Sequence, residues 1–198
     1  MITSFLEWVR RRETVLLEKT QDEAEEFLGQ GYDAKHPVIL GVLRKYNVPF
    51  DNWDGPQAND SVARITKIID AAKTSTISPQ QIGQLDNFAN KSGDQAALQA
   101  ITGYLKNPQG GDPRQVYVQA MQIRDKAEGR QRGYGDVGYN YDSIVKGSYE
   151  PPVLFSGGGK LVVIGGRTRL YAALLAQKPI TVKIIGERDI ASAFSAQQ

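Results

Sequence analysis

The sequence predicts an α+β protein in which a helical N-terminal region precedes a small α/β domain. Between residues 2 and 127, apolar residues recur at helical spacing in successive segments that capping residues, glycine or proline bound. After residue 141 the chain instead carries short β-branched runs around a single helix-forming run. We therefore expect a helical domain over 1–127, a linker over 128–141 and an α/β domain over 142–198.

Six helices are expected in the first region. The first covers residues 2–28, and its Arg10-Arg11-Arg12 run is interpreted as a solvated face because acidic residues surround it. The helices at 79–90 and 94–106 are spaced like a helix-turn-helix, but the second has Lys106 as its only cation, which argues against DNA reading. The other helices are expected to begin at Pro37, after the Asn59-Asp60-Ser61 cap and at Pro113.

Composition excludes several classes of chemistry. The 198 residues include no cysteine and one histidine, so disulfides, thiolate catalysis, cysteine zinc sites and histidine-rich metal sites are ruled out. Residues 1–111 carry 12 Lys and Arg against 14 Asp and Glu, a net charge of −2. Residues 112–198 carry 12 against 8, a net charge of +4. The mildly basic C-terminal part is compatible with nucleotides or nucleic acid.

Nothing in the sequence predicts a membrane or secretory protein. No run of 18 apolar residues is present, and the first residues lack a basic stretch before an apolar one. We therefore expect a cytoplasmic protein without a membrane partner.

One strand–turn–helix segment holds the candidate binding site. Leu161 to Ile164 predicts a buried strand, Gly165-Gly166 a sharp break, and Thr168 to Ala176 a helix. The N–H groups at a helix start attract anions, and Arg167 and Arg169 can add bidentate bonds to phosphate. The alternative is a plain tight turn with solvated arginines. The segment is neither a Walker loop nor a dinucleotide fingerprint, because the lysine and glycine spacings differ.

The same region resembles the ParB/sulfiredoxin superfamily over about residues 134–190. The likeness rests on Ile164-Gly-Gly-Arg-Thr-Arg-Leu170, on Ile180-Thr-Val-Lys-Ile-Ile185, and on the upstream Tyr139 to Leu154 stretch with its Pro-Pro-Val. The resemblance implies a short helix before the Pro-Pro stretch. It also implies a loop–helix site for a nucleotide such as ATP or CTP with Mg²⁺, or for DNA, in a phage- or plasmid-type protein.

The departures from that family limit what carries over. Chromosome-partitioning members have a metal-linked glutamate where this chain has Arg167, and sulfiredoxins need a cysteine that this chain lacks. Arg169 matches the family's retained arginine, so the resemblance implies that Arg169→Ala damages ligand binding more than Arg167→Ala. Gly165, Gly166, Arg167, Thr168 and Arg169 are the expected phosphate-binding residues.

Further candidates surround the turn. Glu150 could act as general base or hold Mg²⁺, or it could be a surface residue before Pro-Pro; Asp136 and Asp142 are weaker candidates. The Gly/Arg/Tyr-rich linker offers nucleic-acid contacts, and the glycine-rich hairpin loop at 156–160 adds one more: Arg130, Arg132, Tyr134 and Lys160.

Three functions remain open at the level of sequence. The first is binding of a nucleotide or of the DNA backbone. The second is a metal-dependent nuclease or phosphotransferase. The third is a protein-interaction module that uses the acidic helical region as its partner surface.

Overall fold

The computed structural model describes residues 37–46, 56–108, 110–129 and 137–195. The expected mixed α+β class is confirmed. The described part contains eight helices, α1 to α8, at Pro37–Lys45, Pro56–Ala71, Pro79–Gly83, Ser92–Lys106, Pro113–Ala127, Val137–Lys146, Arg167–Leu175 and Glu187–Ser195. The four strands, β1 to β4, are Lys73–Ile77, Val153–Gly157, Lys160–Gly165 and Ile180–Gly186. The helix expected over 2–28 lies outside the described residues.

Proline and side-chain caps start several helices where the sequence predicts them. Asp112 caps α5 by accepting a bond from the Arg114 N–H, and Pro113 occupies the first turn. Ser78 forms a reciprocal capping box with Gln81 at the start of α3. The expectation of a helix over 79–90 is nevertheless wrong, because α3 ends at Gly83 and turns follow it. A helix-turn-helix with two full helices is therefore not formed there.

The four strands form one mixed sheet in the order β1-β4-β2-β3. Strands β2 and β3 make an antiparallel hairpin, and Gly158 and Gly159 between them both have positive φ angles (58° and 75°). The chain then crosses through α7 and returns as β4, which runs parallel to β2. The expected hairpin, helix and final strand are confirmed.

Strand β1 corrects the expectation of a purely helical region up to residue 127. It pairs antiparallel with β4, and the register joins Lys73 to Ile184 and Ile77 to Ile180. Only Ile77 of its five residues is buried. The strand was missed because a polar Lys-Thr-Ser-Thr run shows no hydrophobic alternation.

The sheet lies between two helical layers. Alternate side chains of the strands point into two separate apolar clusters. One cluster, with Leu154, Val163 and Val182, packs against helices α3 to α7. The other, with Phe155 and Ile164, packs against α1, α2 and α8. Helices from both halves of the chain therefore share one sheet as their common core.

The expected linker and domain boundary also differ from what is observed. Residues 137–141, assigned to the linker, form the first half of α6. Helices α4 and α5, assigned to a separate helical domain, contribute Ile101, Tyr117 and Met121 to the same cluster as Leu170 on α7. These contacts join segments far apart in the chain, so no local sequence pattern indicates them.

Candidate functional site

A left-handed glycine makes the turn between β3 and α7. Gly166 has φ 74° and ψ 24°, and it is the residue that caps α7. A Cβ atom at this position would lie 2.8 Å from the Cα of Pro152. Only glycine fits both the backbone angle and the close approach. The turn is thereby pressed against the Pro151-Pro152 segment.

The first turn of α7 begins without a capping side chain. The N–H groups of Arg169 and Leu170 donate to the carbonyl oxygen of Gly166 at 3.0 and 3.2 Å. Those of Arg167 and Thr168 precede the first intrahelical bonds, as at every helix N-terminus. The carbonyl oxygen of Thr168 accepts a bond from the Tyr117 hydroxyl at 3.1 Å, which ties this turn to α5.

Arg169 and Glu150, two of the candidate site residues, lie together beside the turn. Nη1 of Arg169 donates to the main-chain oxygen of Glu150 at 2.6 Å. Its Nη2 lies 3.5 Å from Oε2 of the same residue. The first contact is short, and the second is long for a charge-assisted bond. Arg169 thus links the start of α7 to the segment that packs on Gly166.

Arg167 takes a different direction. Its Nη1 donates to the main-chain oxygens of Asn87 and Phe88 at 2.5 and 2.7 Å, and to Oδ2 of Asp94 at 3.0 Å. These acceptors belong to the turns after α3 and to the start of α4. The guanidinium of Arg167 therefore fixes α7 to its neighbours, a role that the sequence did not predict.

Asp94 is the centre of a buried polar network behind the turn. Its side chain is 1% exposed, and Oδ1 accepts a bond from Nε of Arg124 at 2.6 Å. The Tyr171 hydroxyl lies 3.2 Å from the Phe88 oxygen and 3.1 Å from the Asp94 main-chain oxygen. One carboxylate thus holds two arginines from different helices. Sequence reasoning missed the network because Asp94 reads as a simple helix-start residue.

Burial and the network change two pKa values. Desolvation works to lower the pKa of Arg124, but its hydrogen bond to Asp94 and the charges of Asp94 and Glu128 outweigh it, so the pKa is raised. Burial, reinforced by the Asp94 charge, raises the pKa of Tyr171. Arg124 stays charged and Tyr171 stays protonated at neutral pH. The network therefore has fixed donors and acceptors under ordinary conditions.

The remaining sequence candidates lie away from the turn or outside the described residues. Lys160 starts β3 and pairs with Asp86 at 2.9 Å. Asp142 on α6 pairs with Nε of Arg114 at 3.0 Å. These ion pairs connect Lys160 and Asp142 to other parts of the fold and not to the start of α7. The other candidates fall in residues that the structure does not describe: Arg130, Arg132, Tyr134 and Asp136.

Among the residues that the structure describes, no group of three or more His, Cys, Asp or Glu side chains is placed to hold a metal ion. None of the helices in the same ranges has the length and apolar character needed to cross a bilayer.

Comparison with known proteins gave no relatives: no protein-family model, curated protein or solved structure matches this chain.

Proposed function

We propose that this protein binds a phosphate-bearing ligand, either a nucleotide or a nucleic-acid backbone, at the Gly165–Arg169 turn. The observation that carries the proposal is the N-terminus of α7, which follows a left-handed glycine and has Arg169 in its first turn. Backbone N–H groups, the helix dipole and a guanidinium together favour a dianionic group. The order hairpin, helix, parallel strand supports a ParB/sulfiredoxin-like arrangement for the region.

The two arginines of the turn have separate roles in this proposal. Arg169 would contact the ligand through Nη2, because a phosphate oxygen can replace the 3.5 Å contact with Glu150 Oε2 while Nη1 keeps its 2.6 Å bond to the Glu150 main-chain oxygen. Arg167 would hold α7 in place through its bonds to the Asn87 and Phe88 oxygens and to Asp94. This division agrees with the expectation that Arg169 matters more for ligand binding.

A second candidate function is metal-dependent phosphoryl transfer or nucleic-acid cleavage. The observation that favours it is the position of the Glu150 carboxylate beside Arg169. Mg²⁺ in such sites is commonly held by one or two carboxylates together with the phosphates of the substrate. Glu150 could supply one such carboxylate ligand. It could instead act as the general base that accepts a proton from the attacking hydroxyl.

Equilibrium binding of ATP, CTP and a short DNA duplex at low salt tests the first proposal. We expect Arg169→Ala to weaken ligand binding by about 10- to 100-fold, since losing a charge-assisted contact costs about 1.5–3 kcal/mol. Arg188→Ala is the matched control, because it removes the same charge from an exposed position on α8 across the sheet. Equal affinities for the two variants would contradict the assignment, as would a wild-type chain that binds none of the ligands.

Turnover assays with Mg²⁺ or Mn²⁺ decide between binding and catalysis. Glu150→Gln keeps the shape of the side chain but removes its charge and basicity. If the protein is an enzyme, this variant should lose hydrolysis or cleavage while it still binds the ligand. A wild-type chain that binds but never turns over is a binding module. If the chain has no affinity for any phosphate ligand, the protein-interaction function is the alternative that remains.

A further inference from the structure

The two edges of the sheet differ in whether hydrogen bonds cover their outer backbone groups. The outer edge of β3 is covered by the turns after α3. Asn87 bonds both backbone groups of Val163 through its side-chain amide at 2.7 and 2.9 Å, and the Asp86 N–H donates to the Leu161 oxygen at 3.0 Å. At the opposite edge, no hydrogen bond from any described residue reaches the outer side of β1. Open edges are templates for pairing with another strand.

The register identifies which backbone groups of β1 point outward. The Lys183 N–H donates to the Pro152 main-chain oxygen, and the Thr181 N–H donates to the Tyr149 hydroxyl. The backbone N–H groups of these two β4 residues therefore point away from β1. Thr74 and Thr76 lie opposite them. Because facing pairs of an antiparallel ladder alternate between bonded and non-bonded, these two threonines present their N–H and C=O groups to the outer side.

The first four residues of β1 are also uncovered on both faces. Lys73, Thr74, Ser75 and Thr76 are exposed, and only Ile77 is buried, in the cluster that packs against α3 to α7. Side chains of a strand alternate between the two faces of the sheet, so neither helical layer covers residues 73–76. Threonine has a high preference for strands, which favours pairing.

We propose that β1 binds the β1 strand of a second copy of this chain, antiparallel and with the two-fold axis at Ser75. Thr74 then pairs with Thr76 of the other copy, and Thr76 with Thr74, so that all four outward groups of each strand are used. Cross-strand threonine pairs are favourable. Lys73 lies opposite Ile77 of the other copy rather than opposite a like charge.

The neighbouring residues exclude other registers. A shift in either direction would pair a threonine with Ala72 or Ser78 of the other copy. The Ala72 N–H already donates to Ile69 at 3.2 Å, and the Ser78 N–H donates to the Gln81 side chain at 2.8 Å. Only the register centred on Ser75 satisfies both threonines. It joins the two four-stranded sheets into one continuous sheet with a closed, self-complementary interface.

Cysteine cross-linking tests the register directly, because the natural chain has no cysteine. Ser75 would face its own copy as a non-bonded pair with Cα atoms about 4.5 Å apart, a spacing that a disulfide can bridge. We expect Ser75→Cys to form a covalent dimer under mild oxidation. The control is Ser92→Cys, an exposed serine at the start of α4. Equal cross-linking of the two variants, or none in Ser75→Cys, would overturn the proposal.

Sedimentation over a range of concentrations tests the interface without a cross-link. The wild-type chain should show reversible dimers, and Thr76→Pro should abolish them while circular dichroism confirms the fold. Proline is tolerated where the edge N–H faces outward. Amide exchange should show that Thr74 and Thr76 become protected as the concentration rises while Ser75 does not change. A monomer at every concentration, or dimers that Thr76→Pro leaves intact, would contradict the inference.

A charge exchange covers the case in which the proline variant fails to fold. Ser75→Lys and Ser75→Glu each place like charges directly opposite one another in the dimer, so each variant alone should be monomeric. A mixture of the two should dimerise again. If either variant alone dimerises with the wild-type affinity, the contact lies elsewhere and the proposal is contradicted.

Discussion

At the scale of single residues, the start of α7 is held by a carboxylate that the solvent does not reach. Asp94 contacts Arg124 from α5 and Arg167 from α7, and its side chain is 1% exposed. Removing one member of a buried charge cluster leaves its partners uncompensated, which costs more than the intact interaction contributes. The stability of this region therefore depends on Asp94 more than on any exposed ion pair.

We expect Asp94→Asn to lower the free energy of unfolding by about 3–5 kcal/mol, because the buried carboxylate that pairs with both Arg124 and Arg167 loses its charge. Asp86→Asn is the matched control. Asp86 pairs with Lys160, but both side chains are substantially exposed, at 42% and 63%. The control should cost less than about 1 kcal/mol. Urea unfolding at neutral pH measures both, and similar midpoints for the two variants would refute the role assigned to Asp94.

Tyr171 provides a test that depends on pH. Burial raises the pKa of its hydroxyl, so the folded chain keeps a proton that the unfolded chain loses above about pH 10. The contribution of this group to the free energy of unfolding is complete below that pH and declines as the pH rises through the folded pKa. Tyr171→Phe removes its bonds to the Phe88 and Asp94 oxygens.

We therefore expect Tyr171→Phe to cost about 1–2 kcal/mol at neutral pH, and the difference from wild type to shrink above about pH 10. Denaturant titrations at pH 7 and at several values above 9 give the comparison. A difference that stays constant or grows with pH would show that the hydroxyl is not buried as described.

At the scale of elements, the Gly166 turn decides where α7 begins. We expect Gly166→Ala to destabilise the protein by more than about 1–2 kcal/mol. A left-handed backbone costs that much with a side chain, and the new Cβ would lie 2.8 Å from Pro152. Gly103→Ala serves as the opposite control. Gly103 lies inside α4 with no atom near its Cβ position, so alanine should stabilise the helix by about 0.5–1 kcal/mol. Thermal unfolding that moves both variants in the same direction would contradict this account.

The elements that the sequence predicted well have local causes. Prolines and capping residues mark the starts of α1, α3 and α5, and the β3–Gly–α7 junction follows from β-branched residues, glycines and a helix-forming run. Strand β1 has a non-local cause, since its polar residues are held by the ladder to β4. Helix α8 was also not predicted, although Asp189 in its first turn accepts the Gly186 N–H at 2.7 Å.

The candidate site divides in the same way. The candidates Thr168, Arg169 and Glu150 can be named from the sequence, because the strand, the glycine turn, the helix and the proline-rich segment that position them are local features. The direction of Arg167 was not. It depends on main-chain oxygens at Asn87 and Phe88 and on Asp94, which are more than 70 positions away in the chain. No spacing rule connects such residues before the fold is known.

At the scale of the whole molecule, the shared sheet makes the two halves of the chain interdependent. A fragment that ends at Ala127 keeps β1 but loses β2, β3 and β4. It also exposes Ile101 and Met121, which pack in the cluster with Leu170. We expect residues 1–127 alone to lack the native amide-exchange protection of α4 and α5. Adding residues 128–198 as a separate chain should restore it if the pieces associate. Native protection in the isolated fragment would instead support an independent helical domain.

Amide chemical shifts during a nucleotide titration show whether phosphate binds at the start of α7. We expect saturable shifts at Gly166, Arg167 and Thr168, whose N–H groups lie in the turn. We also expect Arg169→Ala to reduce the affinity read from those same signals, while Arg188→Ala leaves it unchanged. Saturable shifts that map to another surface and leave these three amides unchanged would rule out binding at this turn.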